Sequence, residues 1–150
     1  MQPQKDSFNN IRNRRAAIVD NTTTYFDLKF DAPLIPNNRY YLKRFGLFLT
    51  DKIVTGVEIY PAIFGNVYES YNLLIPLDYP QFTLTLVNTK QEFLVENVPF
   101  AAFSTLGNVT KEKIFMLNGI DMRYSYIKYS GLPIVTPLPL IIPLIFKYHN

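Results

Sequence analysis

Apolar residues recur at every second position along much of this chain, and this alternation restricts the fold more than any other feature of the sequence. Phe26, Leu28 and Phe30 occupy alternate positions of residues 25–30, and residues 82–87 read FTLTLV. Successive side chains of a β-strand point to opposite faces of the sheet, so the pattern is typical of strands with one buried face. The helical period of 3.6 residues hardly appears. The sequence therefore predicts an all-β fold.

Turn-forming residues divide the chain into about eight or nine strand-like segments. The four-residue connection 88–91 predicts a hairpin, and Asn118-Gly119 predicts a tight turn because a type I′ turn needs positive φ at both central positions. Residues 99–107 are the one helical candidate, with one or two turns expected. The predicted strands cover residues 25–30, 40–50, 53–60, 67–75, 82–87, 93–98, 113–117, 120–129 and 134–148.

Short strands with regular turn signals favour a sandwich or a barrel. The first interpretation is a single jelly roll of about eight strands in two four-stranded sheets, and an immunoglobulin-like β-sandwich is the alternative. No shift in composition marks a domain boundary, so one β-sandwich domain is predicted for residues 16–150. A chain of this length buries roughly 70% of its surface on folding. The side chains expected in its core are those of Phe26, Leu28, Phe30, Leu84, Leu86, Phe93 and Val95.

The positive charge of the chain is concentrated at its N-terminus. Residues 1–15 contain four basic side chains and one acidic side chain, which accounts for the whole net charge of +3 and leaves residues 16–150 neutral. Such a segment is predicted to be a flexible basic arm. Arg12, Arg14 and Arg15 are its candidate partner-binding residues, with an acidic protein surface, nucleic acid or a membrane as the partner.

The C-terminal segment is strongly apolar and is divided by prolines. Residues 138–146 read LPLIIPLIF, which is shorter than the roughly 20 residues of a transmembrane helix. Because proline has no backbone N–H, a central strand bonded on both edges is difficult to build from this segment. Two interpretations stay open: a final strand within the core, or a contact surface for another subunit. For the second, the partner-binding candidates are Leu138, Leu140, Ile141, Ile142, Leu144, Ile145 and Phe146.

The composition argues against most enzyme chemistry. The chain has no cysteine and a single histidine, His149, so it lacks a thiol nucleophile, a histidine-based triad and a multi-histidine metal site. Its six glycines do not have the spacing of a phosphate-binding loop. Carboxylate pairs such as Asp27 with Asp31 have no separation fixed by the sequence. We therefore expect neither catalytic activity nor a cofactor or metal.

Tyrosine is the residue type most suggestive of recognition, with 11 in the chain. Tyrosine rings are enriched in protein interfaces and also stack on sugars, although cross-strand pairing within a sheet explains about half of them equally well. Tyr124, Tyr126 and Tyr129 are interleaved with Arg123 and Lys128, as on a platform for single-stranded nucleic acid. The neutral charge of residues 16–150 disfavours that reading.

The whole pattern resembles a known family of proteins. A short basic arm (IRNRR, residues 11–15), about eight short strands, absent cysteine, almost no histidine and proline-rich apolar edges resemble the single-jelly-roll minor or vertex (penton) capsid proteins of icosahedral viruses, including membrane-containing bacteriophages. The resemblance implies a structural protein located in the virion. It also implies a homo-oligomer, preferably a pentamer, that contacts other capsid proteins.

Other function classes compete with this interpretation. A carbohydrate- or receptor-binding β-sandwich module would use exposed tyrosines, and a small hydrolase would need two carboxylates in one cleft. The first fifteen residues lack the apolar run of a secretory signal peptide, and no transmembrane segment is predicted. A cytoplasmic location is therefore the alternative to the virion.

Overall fold

The computed structural model describes residues 22–59, 67–68, 70–104, 113–114 and 119–150 of the chain. Within these residues the secondary structure consists of strands and short 3₁₀ helices, so the prediction of an all-β fold is confirmed. No helix among them is long and apolar enough to cross a membrane. The strands are β1 (Thr22–Phe30), β2 (Arg39–Tyr41), β3 (Ile53–Ile59), β4 (Val67–Tyr68), β5 (Tyr71–Leu73), β6 (Phe82–Val87), β7 (Phe93–Pro99), β8 (Lys113–Ile114), β9 (Tyr126–Tyr129) and β10 (Leu140–His149). The 3₁₀ helices are Leu42–Phe45, Phe48–Asp51, Pro76–Gln81 and Phe100–Phe103.

The first sheet is built around β10. Strand β1 pairs antiparallel with one edge of β10 along its whole length, with Phe30 opposite Leu140 at one end. The other edge is shared, because β5 pairs parallel with Leu140 and Ile141, whereas β3 pairs antiparallel with residues 144–149. The strand order is β4-β5-β10-β3-β8, with β1 on the opposite edge of β10.

Strand β10 contains Pro143 and is nevertheless paired on both edges, although a central strand was expected to be difficult to build from this segment. The reason is the position of the proline. On the edge that β5 and β3 share, Pro143 lies between the residues that pair with β5 and those that pair with β3. No described strand pairs with Pro143 on this edge, so the missing N–H breaks no ladder hydrogen bond there. On the other edge it stands opposite Asp27. The proline is tolerated where the sheet changes its partner strand.

The second sheet consists of β2, β9, β6 and β7 in that order, all antiparallel. A long strand was predicted for residues 40–50, but only β2 forms there, and two 3₁₀ helices follow it. The backbone amides of Leu42 and Lys43 donate to the carbonyls of Ser125 and Met122, at 2.9 and 3.1 Å, instead of to a neighbouring strand. Hydrogen bonds to distant carbonyls thus replace the strand pairing that the apolar pattern of residues 40–50 predicted.

Both sheets contribute side chains to one hydrophobic core. The core prediction is confirmed at five positions and holds in part at Val95, which packs against the core while partly accessible. It is wrong at Phe93, whose side chain is 58% exposed. The five confirmed positions are Phe26, Leu28, Phe30, Leu84 and Leu86.

The second of two bulges in β7 explains the exposure of Phe93. In each of two intervals, β7 contains one residue more than the segment of β6 opposite it. Because side chains alternate between the faces of a sheet, the extra residue between Val95 and Phe93 places these two side chains on opposite faces, although their spacing of two predicts the same face. Asn97 lies in the first interval and adopts a positive φ of 51°. The pairs that bound the intervals are Leu84 with Val98, Leu86 with Val95, and Val87 with Phe93.

Three further predictions concern turns. Residues 67–75 form a hairpin instead of one strand, because β4 and β5 pair antiparallel and Ser70, with φ of 67°, lies in the turn between them. The helical candidate is a single turn, Phe100–Phe103, as predicted, and residues 105–107 lie outside the described residues. Asn118 also lies outside them, so the predicted tight turn stays a prediction.

Candidate functional site

Five of the seven side chains proposed as a C-terminal contact surface are buried inside the chain. Four of them lie in the common core, and Ile141 lies in a smaller apolar cluster with Leu73. Their burial favours the first interpretation, a final strand within the core, and contact with a partner through this segment stays a prediction. Leu138 and Ile145 keep accessible area and stay candidates. The five buried side chains are Leu140, Ile141, Ile142, Leu144 and Phe146.

The arginine candidates of the basic arm, Arg12, Arg14 and Arg15, lie outside the described residues. Their role in partner contact therefore stays a prediction. Within the described residues, two other surface features are candidates for a functional site. One is an apolar surface on two proline-containing loops, and the other is a polar groove on the second sheet.

The apolar surface is formed by residues 32–38 and residues 130–139. Neither loop contains a charged side chain, and together they contain five prolines. Several of their large apolar side chains are exposed, including Ile35 at 61% and Val135 at 63%. A cleft of about 230 Å³ opens at this surface, with Leu138 in its wall. The exposed set, named here the proline-loop surface, consists of Ile35, Leu132, Val135 and Leu138.

Polar contacts hold the longer loop in place. Asp78 is buried and accepts hydrogen bonds from the backbone amides of Val135 and Thr136, both at 2.7 Å. The side-chain amide of Asn72 donates to the carbonyls of Pro137 and Pro139, at 3.2 and 3.1 Å. Because these polar groups are satisfied within the chain, the loop keeps its conformation without a partner.

The two loops also contact each other. The backbone amide of Asn37 donates to the carbonyl of Tyr129 at 2.7 Å. Gly131 has a φ of 100°, and a Cβ atom at this position would lie 2.8 Å from Cβ of Pro36. Glycine is therefore required here both by the backbone conformation and by the close approach of the other loop. The two loops that carry the proline-loop surface are therefore in direct contact.

The second feature lies on the face of the second sheet that points away from the core. Arg39, Lys128 and Thr83 stand opposite one another on β2, β9 and β6 and form one row. In the next row, the rings of Tyr41 and Tyr126 meet with centroids 5.3 Å apart, and the Arg39 guanidinium lies 4.7 Å from the Tyr126 centroid. The hydrogen bond with Tyr41, and then the charge interaction with Tyr126, raise the pKa of Arg39 above its usual value. This face therefore carries permanent positive charge.

A groove of about 220 Å³ lies beside this row. Its lining combines polar side chains with Pro80 and Tyr129. Neither Lys128 nor Arg39 forms an ion pair with a described residue, whereas Asp121 and Arg123 form one at 2.8 Å. The polar side chains that line the groove, named here the polar groove, are Asn37, Gln81, Thr83, Asn97, Lys128 and Ser130.

Sequence reasoning missed both features. The high apolar content of residues 138–146 drew attention to β10, although the exposed apolar side chains lie mainly just before it, in residues 130–137. Prolines in a stretch without charge were the available signal. The sequence did not indicate that Gln81 and Thr83 belong to a site, since they lie beside Lys128 only because β6 pairs with β9.

The described residues contain no group of three His, Cys, Asp or Glu side chains placed to hold a metal ion. Comparisons with known protein families, with curated proteins and with solved structures found no match to this chain. The function is therefore argued from the proline-loop surface and the polar groove.

Proposed function

We propose that this chain is a structural subunit that assembles with copies of itself through the proline-loop surface. The observation that carries the proposal is the exposure of Ile35, Leu132 and Val135 on two loops that the chain itself holds in place. Contiguous exposed apolar side chains mark interaction sites on soluble proteins. Loops that are ordered in advance lose little conformational freedom on association, which favours binding.

The absence of charge from both loops favours another apolar protein surface as the partner. Interface cores are depleted of charged residues, and interfaces between identical subunits are the most apolar. Nucleic acid or an anionic lipid surface would instead require cations, and residues 32–38 and 130–139 contain none. A second copy of the chain brings the same apolar surface, and a symmetric oligomer joins such surfaces repeatedly.

The test compares oligomeric state between two double variants. Ile35→Asp/Val135→Asp places two negative charges on the proline-loop surface at exposed positions, so the fold is expected to be retained. Leu47→Asp/Phe93→Asp is the matched control, since these apolar side chains are equally exposed but lie elsewhere. In sedimentation velocity, we expect the native chain and the control to be oligomeric and the first variant to be monomeric, with equal melting temperatures for all three.

A native chain that stays monomeric at high concentration would overturn this proposal. An oligomer that survives both charges on the proline-loop surface would overturn it as well, because the contact would then lie elsewhere. Loss of the oligomer in both double variants would mean that added charge alone prevents association, which also contradicts a specific contact.

The finer proposal is a jelly-roll vertex (penton) or minor capsid subunit in a virion, pentameric and in contact with other capsid proteins. It is supported by two mainly antiparallel sheets around one core, and by the resemblance of the basic arm, the short strands and the composition to such proteins. Electron microscopy of the purified oligomer tests it. Rings with fivefold symmetry would support the proposal, and closed dimers or trimers would contradict it.

The alternative function is a carbohydrate- or receptor-binding module. The observation that favours it is the polar groove, which uses side chains other than those of the proline-loop surface. A ligand that binds only the folded chain raises its melting temperature. The two functions use different side chains, although Asn37 and Ser130 of the polar groove belong to the same two loops as the proline-loop surface.

A further inference from the structure

A hydroxyl group at the polar groove fixes the orientation of the Gln81 side chain. Ser130 Oγ accepts a hydrogen bond from the Leu132 amide at 3.2 Å and donates its own proton to Gln81 Oε1 at 2.9 Å. The oxygen of the Gln81 amide is therefore occupied, whereas its NH₂ group has no acceptor among the described residues. An NH₂ group offers two hydrogen-bond donors. Gln81 thus presents donors, not an acceptor.

Asn97 is oriented in the same way on the neighbouring strand. Thr85 Oγ1 accepts a hydrogen bond from the Asn97 backbone amide at 2.9 Å and donates to Asn97 Oδ1 at 3.4 Å. Thr85 is fully buried, so its hydroxyl has no water to bond instead. The side-chain NH₂ of Asn97 has no acceptor among the described residues. Two amides of the polar groove therefore present donors that have no acceptor in the part of the chain that the structure describes.

The charges at the polar groove point to the same kind of ligand. Lys128 and Arg39 are directly opposite each other on β9 and β2, and no described carboxylate forms an ion pair with either, although the charge of Glu96 interacts weakly with Arg39. Like charges in directly opposite positions destabilise a pair of strands. An anion bound beside them removes this repulsion and makes charge-assisted hydrogen bonds, which are stronger than neutral ones.

We propose that the polar groove binds an acidic saccharide, a sugar that carries a carboxylate or a sulfate group. The acidic group lies against Lys128 and Arg39, and the sugar hydroxyls bond to the amides of Gln81 and Asn97. The proposal rests on the alternative function of a binding module and is independent of assembly through the proline-loop surface.

The lining of the polar groove favours a sugar over other anions. Asn37 and Thr83 add an amide and a hydroxyl group, which match the hydroxyls of a sugar ring in size and polarity. Pro80 and Tyr129 complete the lining. A nucleic acid strand requires a series of cations along its backbone, and residues 16–150 carry no net charge.

The test titrates three related sugars into the full chain labelled with ¹⁵N. The probes are sialyllactose, which carries a carboxylate, sulfated lactose, and lactose itself as the neutral match. We expect at least one acidic sugar to bind about tenfold or more tightly than lactose, the difference made by one hydrogen bond to a charged group. The backbone amide signals of Thr83, Asn97 and Lys128 are expected to shift.

Two variants place the binding at the polar groove. Lys128→Gln removes the charge, and Gln81→Glu replaces the NH₂ donors with an acceptor of nearly the same size. Each is expected to weaken binding of the acidic sugar about tenfold or more while its melting temperature stays unchanged. Lys90→Gln is the control, because it makes the same charge change at an exposed position of the β6–β7 loop. Its binding is expected to equal that of the native chain.

Each of several outcomes would overturn the proposal. The proposal is wrong if neither acidic sugar binds the chain, or if lactose binds as tightly as the acidic sugars. It is also wrong if the Lys128→Gln variant binds the acidic sugar as tightly as the native chain does. Tighter binding of an acidic peptide or a single-stranded oligonucleotide than of either sugar would also reject it. Sugar binding by a monomeric chain would leave this proposal intact and reject only the assembly proposal, so the two failures are distinguishable.

Discussion

Asp78 and Thr136 lie 58 residues apart in the chain and share two hydrogen bonds at one carboxylate oxygen. The Thr136 amide and the Thr136 hydroxyl both donate to Asp78 Oδ2, and the Val135 amide donates to Oδ1. The Thr136 hydroxyl also accepts a hydrogen bond from the Ile75 amide at 3.3 Å. One buried carboxylate thus joins the 3₁₀ helix Pro76–Gln81 to the loop that carries the proline-loop surface.

The first prediction concerns this carboxylate. Asp78→Ala leaves two backbone amides and a hydroxyl without their acceptor, and each unsatisfied buried group costs about 1–3 kcal/mol. We expect the variant to lose about 3 kcal/mol of unfolding free energy, measured by urea denaturation, and to lose self-association as the loop is released. Asp51→Ala removes an exposed carboxylate and is expected to change stability by less than about 0.5 kcal/mol. Equal stability of the two variants would contradict the role assigned to Asp78.

The next residue, Tyr79, has a buried polar group that lacks a partner in the described part of the chain. No described residue lies in hydrogen-bonding geometry with its hydroxyl. Burial raises the pKa of Tyr79 to about 12, because the phenolate is disfavoured away from water, and Ser104 offsets a smaller part of this effect. The ring packs against Phe100 with centroids 6.3 Å apart. The ring contributes to the core, whereas the hydroxyl does not.

The second prediction is that Tyr79→Phe does not destabilise the chain. Removing an unsatisfied buried hydroxyl is expected to leave the unfolding free energy at pH 7 unchanged or to raise it by up to about 1 kcal/mol. Between pH 10 and 12, the unfolded chain releases the tyrosine proton while the folded chain retains it, so the native chain loses stability as the pH rises. The variant is expected to lose less over this range. Urea titrations at pH 7, 10 and 11 measure both effects, and a variant less stable than the native chain at every pH would contradict them.

The sequence predicted strands β1 and β6 and their core side chains because both strands keep a regular alternation. Phe26, Leu28 and Phe30 occupy one face of β1 without interruption, so local pattern and burial agree. The pattern failed at Phe93, because the bulge that separates its face from that of Val95 depends on pairing with β6 and leaves no trace in the spacing of apolar residues. It also failed for residues 40–50, where hydrogen bonds to distant carbonyls replaced a strand.

The third prediction uses this contrast between two neighbouring strands. Leu84 has no accessible area, and Leu84→Ala is expected to cost about 2–5 kcal/mol through lost burial and the cavity left behind. Phe93 was assigned to the same core by its spacing but is exposed. Phe93→Ala is therefore expected to cost less than about 0.5 kcal/mol, as at other surface positions. Denaturant unfolding of both variants measures the difference, and similar losses would mean that Phe93 is in the core after all.

The candidate site was less predictable than the fold because it depends on contacts between distant segments. Neither loop of the proline-loop surface identifies the other, and they meet because β2 and β9 are neighbours in the second sheet. The polar groove likewise requires the register that places Lys128 opposite both Arg39 and Thr83. A sequence pattern shows which faces are apolar, but it does not contain the register between strands.

A buried carboxylate near the start of β9 sets the dependence of stability on acid. Asp121 accepts hydrogen bonds from the Arg123 amide, Nε and Nη2, at 3.0, 3.0 and 2.8 Å. Burial acts to raise the pKa of Asp121, but the hydrogen bonds and the charge of Arg123 together outweigh burial and hold that pKa below its usual value of 3.8. The folded chain therefore binds this proton less tightly than the unfolded chain does. The resulting stabilisation is present above that value and is lost as the pH falls through and below it.

The last prediction is that Arg123→Met makes stability less sensitive to acid. Methionine keeps most of the side-chain stem but removes the guanidinium. Asp121 then stays buried and keeps only one of its three hydrogen bonds from residue 123, the one from the backbone amide. The variant is expected to be less stable than the native chain at pH 7, and the difference is expected to shrink towards pH 3, where protonation removes the charge of Asp121 in the variant first. Arg44→Met is the control, because Arg44 lies over the rings of Tyr40 and Phe45 and has no described carboxylate as a partner. Urea midpoints at pH 7, 5 and 3 measure the trend. A difference between Arg123→Met and the native chain that is constant over this range would show that Arg123 acts by packing alone.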